Sequence, residues 1–293
     1  MHSVTIRVPA SSANLGPGFD CLGLPLSLWN ETTFSQTQNG LTLEIQGEGA
    51  KDLPTDNSNA VMQAFYAAYD AARLDPPAGL HVHCINRIPL GSGLGSSAAA
   101  LLTGLRGANK LMGNPLDNQR LLELAATMEG HPDNVAPALF GGLNLARMDA
   151  GQVIARQVEL PPWKAIVVLP EFRLSTNNAR QALPDSYRFD AVFTNLANVV
   201  LVVEALRTGD LPLLRNTMHD NVHQPFRLPL IPGAGRAIQA ARDLGAAACL
   251  SGAGPAVIAF HQGNGARLEQ AMHTAFGETA TRTWHLDVVN SID

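Results

Sequence analysis

The sequence lacks the features that mark a nucleic-acid binder, a disulfide-stapled protein or a secreted one. Among its 293 residues, 20 Lys and Arg stand against 25 Asp and Glu, the formal net charge is −5, and no long Lys/Arg run occurs. That balance leaves no electrostatic footprint for nucleic acid. Cysteine is scarce: Cys21, Cys84 and Cys249 are odd in number, far apart, and in no CxxC or Cys/His spacing. This argues against a disulfide framework and a cysteine metal site, and it predicts free thiols in a reducing cytosol. The opening MHSVTIRVPASS has no basic segment followed by an apolar run, so no signal peptide is expected. The most apolar stretches, such as residues 196–206, are about half the length a membrane-spanning helix needs, so no membrane partner is expected. Charged residues make up only 15% and hydrophobic ones 46%, which is enough to bury a substantial core. The length allows one large domain or two linked halves.

Periodicity and turn chemistry organise the chain. A short strand over residues 4–8 runs into the small-residue loop PASSANLGPGFDCLG, and strands follow over 24–36 and 41–47. Asp56, Asn57 and Ser58 supply a cap for a helix over 59–73. An apolar strand over 80–88 enters PLGSGLGSS, from which an Ala/Leu-rich helix leaves as far as Met112. A further helix from Asn118 stops at Gly130, and a strand through Leu145 precedes a turn at 149–151. That turn is taken as the domain boundary, giving halves 1–150 and 151–293. In the second half, setting aside helices near 177–183, 190–206 and 211–218, the order reads β-α-β-β-α-β. This suggests a ferredoxin-like split sheet with helices on one face. The class is α+β, in two domains.

The strongest local signal is PLGSGLGSSAA, residues 89–99, because of its setting between a strand and a helix. Gly91, Gly93 and Gly95 permit unusual φ and close backbone approach. The loop then delivers a ligand to a helix N-terminus, which favours an anion. Ser96 and Ser97 add hydroxyls suited to a phosphate oxygen or Mg²⁺. No Lys follows the last glycine, so this is not a Walker A loop, and the glycine spacing is not that of a dinucleotide fingerprint. A plain capped turn would need fewer glycines. PASSANLGPGFD and LSGAGP each sit at a strand end. Alone each reads as a turn; together they suggest backbone segments converging on a phosphorylated ligand. Glu123 lies on a Leu-rich helix and is either a solvent-face residue or a half-buried carboxylate in need of a cation. In GHPDN, Asp133 could cap the helix that starts at Val135 or serve the site, and His131 is either structural or a substrate ligand.

The ordered set PxSSANLGPGFD, PLGSGLGSSAA, EGHPDNVAP, STxxAR and LSGAGP spans nearly the whole chain. It resembles the GHMP small-molecule kinase superfamily and, within it, is most similar to the homoserine kinase family. The resemblance implies an N-terminal domain like S5 domain 2, a ferredoxin-like C-terminal domain, and transfer of phosphate from ATP with Mg²⁺ to L-homoserine. It places Pro89, Leu90, Gly91, Ser92, Gly93, Leu94, Gly95, Ser96, Ser97, Ala98 and Ala99 on the ATP phosphates, with Asn59 toward the adenine. Ser97 and Glu123 become the metal ligands. Asn14, Asp20, His131, Thr176, Arg180 and Arg227 become the amino-acid pocket. Asp20 suits an ammonium, and the two guanidinium forks suit a carboxylate; outside this context the arginines would read as surface pairs. Related kinases carry an Asp base where this chain has Asn134. An amide cannot accept a proton in that way, so the implied mechanism rests on positioning and charge neutralisation. Family habit implies a homodimer. The pattern departs at STNNAR, which lacks a Lys, and at the ending VVNSID, short of the terminal strand the family leads one to expect. The rival readings are another kinase of the superfamily and a non-catalytic ATP-binding protein of the same fold.

Overall fold

A computed structural model describes residues 2–172, 174–263 and 265–292. The first half is one mixed sheet with helices on it. Strands β1 (Ser3–Asn14), β2 (Gly18–Thr37), β3 (Gly40–Gly47), β4 (Gly79–Asn86), β5 (Leu143–Asp149) and β6 (Gln152–Val158) form the path β3-β4-β2-β5-β6, with β1 paired to β2. Only the β3–β4 pairing is parallel. β1 alternates exposed and buried from Ser3 to Val8 and is then buried throughout. The expected loop at residues 9–14 is therefore strand: PASSAN continues β1 between β2 and the helices, and register shifts after Pro9 and Ala13 bend it toward the site.

Helices α1 (Ala60–Ala72), α2 (Ser96–Leu111), α3 (Asn118–Glu129) and α4 (Val135–Phe140) complete this half. α1 buries Val61, Met62, Ala64, Phe65, Ala68 and Tyr69, the one-sided pattern of a core helix. Phe65 stacks on Phe34 of β2 at 5.4 Å between ring centroids.

The second sheet has the order β10-β7-β9-β8, with β7 (Lys164–Pro170), β8 (Ala247–Leu250), β9 (Val257–His261) and β10 (Thr281–Asp287) all antiparallel. The helices around it are α5 (Thr176–Gln181), α6 (Phe189–Thr208), α7 (Leu211–Thr217), α8 (Gln224–Arg227), α9 (Ala234–Asp243) and α10 (Gly265–Phe276). The expected β-α-β-β-α-β order holds once α5–α8 are set aside. β7 is buried on both faces: Ile166 and Val168 pack with α9 and α10, while Ala165 and Val167 join the core shared with the first half. Alternation along one strand thus welds the two halves together.

Two further expectations differ from what is observed. The turn at 149–151 lies inside the β5–β6 hairpin, so the change of sheet comes between Val158 and Lys164. Strand pairing across that turn leaves no boundary at 150. The apolar segment 196–206 belongs to the longer α6, which by length and composition alone could cross a membrane. Here Asn195, Val202, Ala205 and Leu206 of α6 are buried against protein. The chain's last residues return to the first half, where Val288 donates to the Trp163 carbonyl and the Asn290 side chain bonds both backbone groups of Leu160.

Candidate active site

The glycine loop sits where both halves meet. Gly91, Gly93 and Gly95 all have positive φ, at 60°, 83° and 68°. A Cβ on Gly93 would lie 2.2 Å from the Ser251 carbonyl oxygen, and one on Gly95 would lie 2.2 Å from Ser11 Oγ. Glycine is required here for close approach as well as for conformation. Three bonds from two segments lock the loop: Ser11 N–H of β1 donates to the Leu94 carbonyl, and from the 251–256 loop Ala256 N–H donates to the Ser92 carbonyl and Ser251 Oγ to the Gly93 carbonyl at 2.7 Å. Ser92 Oγ closes the turn on the Pro89 carbonyl. The three small-residue loops therefore do converge. Among the described residues, the N–H groups of Gly93, Gly95, Ser96 and Ser97 take no protein acceptor. They open at the N-terminus of α2, an arrangement that binds phosphate.

Beside them, Ser97 Oγ donates to Glu129 Oε2 at 2.7 Å. Glu129 ends α3, six residues beyond Glu123. That offset is roughly 9 Å along the axis and about 120° around it. Glu123 is therefore not at the cleft: it accepts from Gln119 Nε2 at 3.0 Å and lies 3.6 Å from Arg120 on its own helix. The expected carboxylate beside Ser97 is therefore Glu129 and not Glu123. Glu129 is the first residue of the EGHPDN motif, about one and two-thirds helix turns beyond Glu123 of the Leu-rich stretch. Asn59 is also corrected. Its Oδ1 accepts from Val61 N–H at 2.9 Å and its Nδ2 donates to the Pro54 carbonyl at 2.7 Å, so it caps α1 with both polar atoms committed.

Opposite the loop, Asp20 and Arg180 form a bidentate pair at 2.8 and 2.9 Å. Each is more than a third exposed, so the pair contributes little to stability and stays accessible to a ligand. Asn14 has φ 69° and ties this wall to both halves. Its Nδ2 donates to the Gly252 carbonyl at 2.8 Å, and its Oδ1 accepts from Asp20 N–H at 3.0 Å. Arg227 is buried, with its guanidinium 5.0 Å from the centre of the Phe19 ring; that of Arg180 lies 5.6 Å from it. Burial lowers the Arg227 pKa, opposed first by the charge of Asp20.

His131 and Asn134 close the cleft. His131 Nδ1 lies 2.6 Å from Asp133 Oδ1. Burial by itself would lower its pKa, but the hydrogen bond and charge of Asp133, with Glu129 and Asp20, outweigh it and the pKa is raised. No side chain caps α4, so Asp133 holds His131 in place of that helix. Asn134 Oδ1 accepts from Ser11 Oγ at 2.9 Å, its Nδ2 makes a long bond of 3.5 Å to Asp133 Oδ1, and the side chain lines the cleft.

One cleft is thus lined by Asn14, Asp20, Gly91, Ser92, Gly93, Gly95, Ser96, Ser97, His131, Asn134, Arg180 and Arg227. Pro89 and Leu90 line a neighbouring groove that shares Gly91. Leu94, Ala98 and Ala99 have fully buried side chains and serve the loop only through their backbone. Thr176 opens α5, and its side chain lies outside the described residues. Glu129, Asp133, Gly252, Ala253 and Gly254 also line the cleft, unassigned by the sequence reading. Ser11, Ser251 and Phe19 support it from behind or beside; all three lie in the PASSANLGPGFD and LSGAGP segments already singled out, though none was assigned a role.

A backbone turn of the kind that binds anions, facing the charges of Asp20, Arg180 and Arg227 across one cleft, suits a small-molecule kinase, and comparison with known proteins agrees. Residues 59–142 match the family described as GHMP kinases N terminal domain, and residues 202–278 match GHMP kinases C terminal. The chain belongs to the GHMP kinases. It is 44% identical to the homoserine kinase of Moorella thermoacetica over 94% of each chain. It is 45% identical to the homoserine kinase of Deinococcus radiodurans over 92% of this chain and 88% of that one. Among solved structures, the homoserine kinase of Cytophaga hutchinsonii superposes with a TM-score of 0.89 at 28% identity, covering 99% of this chain and 96% of the other. The L. major mevalonate kinase shares the fold at a TM-score of 0.77 and 19% identity, covering 99% and 97%.

Proposed function

We propose that the chain is a homoserine kinase, transferring the γ-phosphoryl group of ATP to the side-chain hydroxyl of L-homoserine in the route to threonine. The observation that carries this reading is the opposition, across one cleft, of free loop N–H groups at α2 and the Asp20–Arg180–Arg227 charges. An α-amino acid brings one ammonium and one carboxylate. Asp20 suits the first and the two guanidinium groups suit the second. Mevalonate and simple sugars bring no ammonium for Asp20.

In this reading the ATP phosphates lie on the N–H groups of Gly93, Gly95, Ser96 and Ser97. The paired Ser97 hydroxyl and Glu129 carboxylate are hard oxygen donors and fit Mg²⁺. Among the described residues no group of three His, Cys, Asp or Glu could hold a metal; an ion held by Ser97 and Glu129 would take its remaining ligands from phosphate oxygens and water. When bound, the ion neutralises charge on the transferring phosphoryl group. The homoserine oxygen forms the new bond to γ-phosphorus as the bond to the ADP oxygen breaks, and the hydroxyl proton passes to the γ-phosphate. Asn134, fixed by Ser11, orients without acting as a base.

A cytosolic homodimer belongs to the same reading. Phe189, Phe193, Leu196 and Val200 form an exposed apolar stripe on α6. The self-neutralised pairs Arg188–Asp190 and Glu204–Arg207 lie at its two ends. Two copies set antiparallel about a two-fold axis bury the stripe and leave no like charge unbalanced. Sedimentation should give the mass of two chains; a single-chain mass at assay concentration removes this part.

The test of substrate is ADP release with homoserine, mevalonate, galactose and shikimate. Turnover is expected with homoserine alone. Turnover of an acceptor lacking an amino group, with none on homoserine, overturns the reading.

A further inference from the structure

His223 is completely buried beside the cleft, yet no step of the transfer uses it. Its Nε2 lies 2.8 Å from the Gly16 carbonyl oxygen and its Nδ1 lies 3.1 Å from Nη1 of Arg227. A carbonyl only accepts and a guanidinium only donates. The ring is therefore the neutral tautomer with its proton on Nε2, bonded on both sides. Burial, reinforced by the charge of Arg227 against that of Asp220, lowers its pKa and agrees with the neutral form. The imidazole also stacks on Phe19 at 5.3 Å between centroids. Its backbone is fixed in turn, because Asp220 Oδ2 accepts from the N–H groups of His223 and Gln224 at 2.8 and 2.6 Å. The other bonds of Arg227 are longer, at 3.3 Å to the Ala179 carbonyl and 3.4 Å to that of Gly252. Its Nη2 has no protein partner among the described residues.

We propose that His223 is a positioning residue for the amino-acid side of the cleft. By accepting from Nη1 it sets the Arg227 fork so that Nη2 meets the substrate carboxylate. By donating to Gly16 it keys that fork to the turn bearing Asn14 and Asp20, the partners at the ammonium end. The distance between the two charged ends of the substrate is then fixed through one ring. This rests on the reading of Asp20 and Arg227 as homoserine ligands.

Two variants separate the two bonds. In His223→Asn the side-chain oxygen stands near the place of Nδ1 and keeps the acceptor for Arg227. In His223→Gln the amide nitrogen stands near the place of Nε2 and keeps only the donor to Gly16. The readout is the preference, in kcat/KM, for homoserine over homoserinamide, which lacks the carboxylate. In the unaltered enzyme homoserine should be strongly preferred; no preference overturns the underlying reading of Arg227, and this proposal with it. Given that preference, His223→Gln should cut it about tenfold, the worth of one charge-assisted hydrogen bond. The loss should lie in the KM for homoserine, with the KM for ATP shifted less than about twofold. His223→Asn should stay within about threefold of the unaltered preference. Equal losses in both variants, or an equal loss with the amide, overturn the proposal. Should neither variant fold, ¹⁵N-histidine NMR of the unaltered chain decides: protonated Nε2 and bare Nδ1 at His223 are expected, and a protonated Nδ1 overturns it.

Discussion

The two walls of the cleft are built from different material. The phosphate wall is backbone: alternating glycines in a loop whose carbonyls accept from N–H groups and a hydroxyl of β1 and the 251–256 loop. The opposite wall is long charged side chains, Asp20 from β2, Arg180 from α5 and Arg227 from α8, braced by Phe19 and His223. A phosphate group is common to every kinase of this fold and needs only oriented N–H groups at a helix end. A particular small zwitterion needs charges at a set separation, which side chains from several elements supply. The shared chemistry sits in a local segment, and the specific chemistry is distributed across the chain.

Substitutions on the two walls should therefore separate. The largest effect is expected at the Ser97–Glu129 end of the phosphate wall: under the proposed metal role, Glu129→Ala should lower kcat by roughly 10²–10³-fold. Glu123→Ala, which loses only contacts on its own helix, should stay within about threefold. The opposite order in steady-state kinetics would return the metal role to Glu123. Next, Asp20→Asn should raise the KM for homoserine about tenfold or more and leave that for ATP nearly unchanged. Gly93→Ala, whose Cβ would press on the Ser251 carbonyl, should raise the KM for ATP and lower the melting temperature by a few degrees. If both variants moved the same constant, the division between walls would fail. Asn134→Asp places a second carboxylate where Nδ2 now lies 3.5 Å from Asp133 Oδ1, and a fall in kcat of about tenfold is expected. A rate gain would reveal a missing base.

The last test lies outside the phosphate wall and reads thiol reactivity, not catalysis. Cys21 stands next to Asp20, and burial, then the charges of Asp133 and Asp20, push its thiol up to about 11. Burial pushes Cys249 up to about 12, and Cys84 is also raised. Alkylation by iodoacetamide at pH 8 should run about a hundredfold slower than for a free thiol. Rapid labelling of Cys21 would show that this wall is more open than its geometry indicates.

What was readable beforehand follows the same division. The 89–97 loop was legible because a strand, alternating glycines and a helix start lie within a dozen residues. The β-α-β-β-α-β order was legible from periodicity. Asn14, Asp20, Arg180 and Arg227 became legible only through the order of motifs along the chain, since no spacing rule links residues 160 positions apart. Glu123 and Asn59 were misplaced for one reason: each is polar on an element of the right neighbourhood, and sequence does not say which way such a side chain turns.

Local sequence determined the helices, the strands and the anion-binding turn, because propensity, capping and glycine conformational freedom act over a few residues. Tertiary structure alone decided that Glu129, about one and two-thirds turns beyond Glu123, meets Ser97. It also decided that Asp133 holds His131, that the sheets change after Val158, and that a buried His223 joins Gly16 to Arg227. Each of those outcomes depends on how elements distant in sequence pack, and packing is set by the whole apolar core rather than by any segment of it.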